Sequence, residues 1–232
     1  MVIKKDDETL QVLQEIDGEW IVIGDGMDAE SVAFFRMSDD GRRVVIGARK
    51  STSRLPFVHV RVHEWNGDPV GEYVEAWNET VSRLDQMIVD ISADGSRVAV
   101  GFNEHAYGSS ETKEFFGKGS VKLYDWIEED KVWMPVGNPI TDKDAWYFGR
   151  EVDLSADGTT IVVSASYNNT PAGTDGFYVN ETQRVFRFND NNKDWDLLGD
   201  TETFDDFANQ HFQRFHALVR DGSDWPAGRY FA

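Results

Sequence analysis

Apolar and polar residues alternate with a period of two in short runs along the whole chain. Val58-His59-Val60-Arg61-Val62-His63-Glu64-Trp65, Ser120-Val121-Lys122-Leu123-Tyr124-Asp125-Trp126 and Arg184-Val185-Phe186-Arg187-Phe188 are the clearest. Alternation rich in β-branched and aromatic side chains predicts half-buried strands. In the first run this places His59 and His63 on the face opposite Val58, Val60 and Val62, turned toward solvent. Helical periodicity is scarce, and its best stretch, Glu75 to Leu84, is marginal.

Between such runs a second pattern recurs. Met37-Ser38-Asp39-Asp40-Gly41, Ile91-Ser92-Ala93-Asp94-Gly95 and Leu154-Ser155-Ala156-Asp157-Gly158 each precede an apolar run, and Val219-Arg220-Asp221-Gly222 is a degraded fourth copy. Asp-Gly between strand-like segments predicts a tight hairpin with both residues in the backbone conformations these types favour. A further element repeats as Trp20 to Gly24, Trp133 to Gly137 and Trp195 to Gly199, with a version lacking Trp near Asp68 to Gly71. Its tryptophans, fixed in the frame, are expected to be wedges between units. Each unit then holds four strands, and the units approximate 10–57, 58–119, 120–182 and 183–232 of a single domain, 1–232. Four antiparallel strands per unit predict an all-β fold, a β-propeller of about four four-stranded blades. Leu10 to Trp20 matches the outer strand that the last unit lacks. The amino-terminal strand is therefore expected to pair with the carboxy-terminal blade and close the ring, the alternative being a share of a larger ring.

The runs SADGSRVAVG and SADGTTIVVSA resemble the hairpins of WD40-like and TolB-type propellers. Phe148-Gly149, together with Val44-Val45-Ile46-Gly47-Ala48, is similar to the FG-GAP repeat of integrin-type propellers. That likeness implies the propeller fold and names no activity. Integrin-type blades often carry a calcium loop with three alternating acidic positions. The Ser-x-Asp-Gly loop departs from it and is too short to supply six or more oxygens, so no metal and no cofactor is expected at these turns.

Charge narrows the range of partners. With 42 acidic and 23 basic residues the formal net charge is −19, which opposes phosphate backbones and anionic membrane surfaces. Nucleic acid and membrane insertion are not expected, and no long apolar span or signal-like stretch occurs. The absence of cysteine excludes disulfides and thiol catalysis. The glycosylation triplets at Asn78, Asn168 and Asn180 tilt the compartment toward a secreted one.

Among groups able to do chemistry, His59 and His63 are a candidate metal pair and Asp142 with Asp144 a candidate carboxylate pair for a glycan-active hydrolase. Asp190-Asn191-Asn192-Lys193-Asp194 suits either an ion or a turn, and turn chemistry accounts for it more simply. Trp77 and Trp146 fall in predicted connections between first and second strands. By strand parity these share an end with the long connections Asn103 to Gly119 and Tyr167 to Glu181, which hold Tyr107, Phe115, Phe116, Phe177 and Tyr178. These seven aromatics are the candidate binding residues. The expected function is a non-catalytic module binding a protein or glycan there, the alternative being a structural, self-assembling subunit.

Overall fold

The structure, a computed structural model, describes residues 2–4, 9–28, 32–50, 57–65, 73–82, 84–104, 119–168 and 179–204. These form four small antiparallel sheets with no helix among them. The first holds β1 (Val2–Lys4), β2 (Thr9–Ile16) and β3 (Glu19–Asp28), in that order. The second holds β4 (Val32–Met37), β5 (Arg43–Lys50), β6 (Phe57–Trp65) and β7 (Tyr73–Ser82). In the third, β8 (Leu84–Ile91), β9 (Arg97–Glu104), β10 (Gly119–Ile127) and β11 (Val132–Pro135) run in sequence, and β12 (Ile140–Thr141) also pairs with β10. The fourth comprises β13 (Val152–Leu154), β14 (Thr160–Asn168), β15 (Val179–Asn189) and β16 (Asp194–Phe204). The second, third and fourth sheets each begin at the strand before a Ser-x-Asp-Gly turn, so the boundaries of the sequence units 10–57, 58–119, 120–182 and 183–232 fall within the third strand of each of these sheets.

The sheets stack face to face, with β8 beside β4 and β13. Val45, Val60 and Val62 of the second sheet pack on Val89, Val98 and Val100 of the third. Ala99 and Leu123 of the third pack on Ile161, Val163 and Phe186 of the fourth. Leu10, Val12 and Met27 of the first pack on Val44 and Ile46 of the second. The second sheet is therefore covered on both faces, which explains why Val44, Val45 and Ile46 are consecutive and all fully buried. It also corrects the solvent-facing assignment of His63, which is 6% exposed because its face is turned toward the first sheet.

Three further findings bear on the sequence expectations. Glu75 to Ser82 is strand rather than helix, since its backbone completes the sheet beside β6, and Leu84 begins β8. Near Asp68 to Gly71, the version of the repeated element without Trp lies outside the described residues, and Tyr73, opposite Trp65, holds the register place that Trp133 holds opposite Trp126. The amino-terminal strands form a sheet of their own around the Asp17-Gly18 turn, while β16 supplies the fourth sheet's last strand. Among the described residues no strand pairing joins the first sheet to the fourth.

The repeated turn is not a two-residue hairpin. Only its glycine is left-handed, with φ of 72° at Gly41, 72° at Gly95 and 69° at Gly158. Aspartate acts through its carboxylate instead. Asp94 Oδ1 accepts the Ser92 hydroxyl at 2.8 Å and the Ser96 amide at 2.9 Å, while Ser92 Oγ accepts the Arg97 amide at 2.9 Å. The same bonds recur around Ser38–Asp40 and Ser155–Asp157. Neighbouring turns are joined as well: the Asp39 amide donates to the Ala93 carbonyl at 2.8 Å, and the Ala93 amide to the Ala156 carbonyl at 2.9 Å.

An arginine locks each of these joints. Arg97 Nη1 donates to the Gly158 carbonyl of the next sheet at 2.7 Å, and its guanidinium forms a two-point pair with Asp125 at 2.5 and 2.7 Å. Its carbon centre lies 4.7 Å from the Phe188 ring and 5.4 Å from the Trp195 ring. Arg43 repeats this one sheet earlier, donating to the Gly95 carbonyl at 3.1 Å and to Glu64 at 2.9 Å, over Trp126 and Trp133. Trp133 and Trp195 are thus wedges, 5% and 8% exposed. Trp20 departs from that expectation at 53% exposed, because no described sheet covers its face.

Close packing also constrains Phe148-Gly149. A Cβ on Gly101 would stand 2.2 Å from the Gly149 carbonyl oxygen, and one on Gly119 1.7 Å from that of Phe148. Nothing lies within 4 Å of a Cβ built on Gly41. Gly101→Ala and Gly119→Ala are each expected to lose more than about 2 kcal/mol in urea unfolding, since backbone must move. Gly41→Ala should lose only about 1 kcal/mol, from its left-handed φ.

Candidate functional site

Strand direction sets the two ends of the sheets. The Ser-x-Asp-Gly turns close one end, and the β5–β6, β9–β10 and β14–β15 connections leave from the other. Trp146 is at this second end, where its amide donates to the Ser166 carbonyl at 2.6 Å and its carbonyl accepts the Ser166 amide at 2.8 Å. Its side chain is half-buried. Trp77 is elsewhere than expected: it sits within β7 opposite Val62, in mid-strand, because β7 extends through the predicted loop. Tyr107, Phe115, Phe116, Phe177 and Tyr178 lie outside the described residues. Asn168 and Asn180 occupy the facing ends of β14 and β15 at the same end, and Asn78 pairs with Arg61 within β7.

A charged cluster anchors the segment that carries Trp146. Arg184 Nη1 lies 2.6 Å from Asp142 Oδ2, the Tyr167 hydroxyl donates to the same oxygen, and the Asp144 amide donates to Asp142 Oδ1 at 2.9 Å. The guanidinium also lies 5.3 Å from the centre of the Tyr167 ring. Desolvation pushes the Asp142 carboxyl up, and the hydrogen bonds from Tyr167 and Asp144 with the Arg184 charge outweigh it, so its pKa falls below the usual value. Burial and the adjacent carboxylate push the Tyr167 phenol up. Asp142 is thus held as an anion, and Asp144 meets it through backbone rather than as a second carboxylate. This arrangement positions the loop.

The Asp190 to Asp194 stretch is a turn. The Asn191 amide donates to Asn189 Oδ1 at 3.0 Å, the Asp194 amide to Asn192 Oδ1 at 3.1 Å, and Lys193 is left-handed with φ of 56°. Asp194 in turn accepts the Asn138 amide and side chain at 3.0 and 2.7 Å, tying the third sheet's outer edge to the fourth.

One functional-looking group escaped sequence reasoning. Asp90, on β8, occupies the same frame position as Arg36 on β4 and Asp153 on β13, one residue before the apolar residue that precedes each Ser-x-Asp-Gly. Its Oδ2 accepts the Leu154 amide at 2.7 Å, and Arg36 Nε lies 3.9 Å from Oδ1. It therefore links three sheets through their first strands. Burial raises its pKa to about 6, against the opposing pull of the Leu154 amide and Arg36. A polar residue at one place in every inner strand was the signal available.

No family model matches the chain, and no curated protein matches it. Six chains of solved structures match. One is the Kuenenia stuttgartiensis hydrazine synthase, at 16% identity and a TM-score of 0.44, over 78% of this chain and 48% of that one. The match thus spans about half the length of that chain. No helix among the described residues is long and apolar enough to cross a membrane.

Asp90 has a defined pH signature. Its folded pKa lies above the unfolded value of 3.8, so the buried carboxyl favours folding while protonated and opposes it once ionised. Stability from this group is present at low pH and is lost as pH rises from about 4 to 6. Asp90→Asn, which keeps an acceptor for the Leu154 amide, is expected to gain about 2 kcal/mol on wild type as pH rises from 4 to 7, measured by urea unfolding at each pH. Asp142 runs the other way: its depressed pKa stabilises above the unfolded value of 3.8 and is lost as pH falls through the lower folded value. Tyr167→Phe should lower stability at pH 7 by about 1 kcal/mol and narrow that acid-side loss.

Proposed function

We propose that the protein is a non-catalytic interaction module, a β-propeller-like array of small antiparallel sheets that binds a protein or glycan at the end from which its longer connections leave. The observation that carries this reading is the asymmetry of the two ends. At the turn end the serine hydroxyls, aspartate carboxylates and several backbone amides are engaged in holding turns and sheets together. Groups already paired in this way offer little to a ligand, since binding would first have to break those bonds. The opposite end releases connections that differ in length and sequence from one sheet to the next. Variable connections on a rigid scaffold are where recognition residues concentrate.

The cluster of Asp142, Tyr167 and Arg184 supports the same reading, because it fixes the Trp146 segment before any partner arrives and so reduces the ordering cost of binding. A second reading, self-assembly, draws on one observation: the first sheet leaves Ile16, Trp20, Ile21 and Val22 more than two-fifths exposed. Apolar surface of this kind marks association sites.

Arrays of immobilised proteins and glycans, probed with wild type and with Trp146→Ala, test the first reading. Binding that drops about tenfold in the variant, with an unchanged melting curve, is the expected outcome. Equal binding by both proteins would count against this end as the site.

A further inference from the structure

We propose that the outward face of β3 around Trp20 is a docking site for a β-strand of a different protein that presents an arginine. This surface is distinct from the end that carries Trp146. Trp20, Trp133 and Trp195 share one position in the repeated frame, and two of the three already show what that position receives. Trp133 lies 5.7 Å from the guanidinium carbon of Arg43, and Trp195 lies 5.4 Å from that of Arg97, each arginine projecting from the preceding sheet. Trp20 has no such neighbour among the described residues and is 53% exposed.

Its face can be assigned from register. Val12 pairs with Ile23, and Val12 packs toward Val44 and Ile46 of the second sheet. Trp20 and Val22 have the opposite parity, so they point away from that sheet, and Val22 is 48% exposed. Where Trp133 and Trp195 have Trp126 and Phe188 across from them, Trp20 has Glu15. A guanidinium stacked on Trp20 would meet a carboxylate where the other two copies supply a second ring.

Charge selects the partner further. Residues 9 to 28 carry Glu15, Asp17, Glu19, Asp25 and Asp28 and neither lysine nor arginine. An indole with the Glu15 carboxylate directly across from it suits a planar cation better than a compact one. Arginine stacks on the ring and reaches a carboxylate in two-point fashion, whereas lysine does neither well.

The test uses the full chain and a fluorescein-labelled peptide in which arginine alternates with valine, beside its counterpart with lysine in place of arginine. Fluorescence anisotropy is expected to show the arginine peptide binding about tenfold more tightly than the lysine peptide. Trp20→Ala should remove that preference and leave the melting temperature unchanged, because the indole is exposed. Equal binding of the two peptides, or a preference that survives Trp20→Ala, overturns the proposal. Light scattering provides a second decision. Self-association that is lost in both Trp20→Ala and Arg187→Ala would identify a second copy of this chain as the occupant and overturn a foreign one. Trp146→Ala should leave the peptide result unchanged, which separates this site from the array experiment.

Discussion

Arginine reaching from one sheet onto both the turn and the aromatic pair of the next is the contact on which the stack depends. Small sheets carry too few residues to bury both faces alone, and each must find a neighbour. Valine and isoleucine faces supply the driving force but little orientation, because apolar packing is non-directional. Arg97 supplies direction: one nitrogen on the Gly158 carbonyl, two on Asp125, and the plane over Phe188 and Trp195. Its charge is buried only because every one of those partners is present. Arg43 makes the weaker version, with Glu64 held by one nitrogen and Nε lacking a hydrogen-bond partner.

The lock stops at the fourth sheet. Arg43 pairs in register with Glu64 and Arg97 with Asp125, whereas Thr160, at the same position, faces Arg187. The acid is missing and the cation has moved one strand outward. At the other end of the array, the first sheet retains the tryptophan but not the aromatic partner. Among the described residues, the two outer sheets therefore depart from the internal joints in the residues that make those joints. That is the pattern expected where a surface has to remain soluble or accept something different from a copy of its neighbour.

Much of this was legible because the repeat is written in residue types with narrow backbone or hydrogen-bonding roles. Ser-x-Asp-Gly marked the turns and the Trp-containing element marked the outer strands of three sheets. What it concealed was the role of each letter. Aspartate next to glycine suggested a two-residue hairpin, yet the carboxylate caps amides and the hydroxyl closes the loop. Alternation within a single strand points His63 to solvent, since it carries no sign of a second sheet stacked on that face. The uninterrupted run Val44-Val45-Ile46 already signalled burial on both faces. Sequence pattern puts Trp77 in a loop because a strand with Glu75, Asn78 and Glu79 has a weak apolar alternation, and only pairing with β6 defines it. Asp90 was hidden for a different reason, as its partners come from two other sheets and leave no local trace beyond a recurring polar position.

Arginine and tryptophan act as a coupled unit across the sheet boundary, and that coupling can be measured directly. A double-mutant cycle with Arg97→Met and Trp195→Leu, followed by urea unfolding, reads the interaction free of each residue's separate contribution to packing. A coupling energy of about 1 kcal/mol or more is expected from a cation stacked on a buried ring. Additive single and double variants would show that the sheets are held by their apolar faces alone, and would contradict the arginine lock.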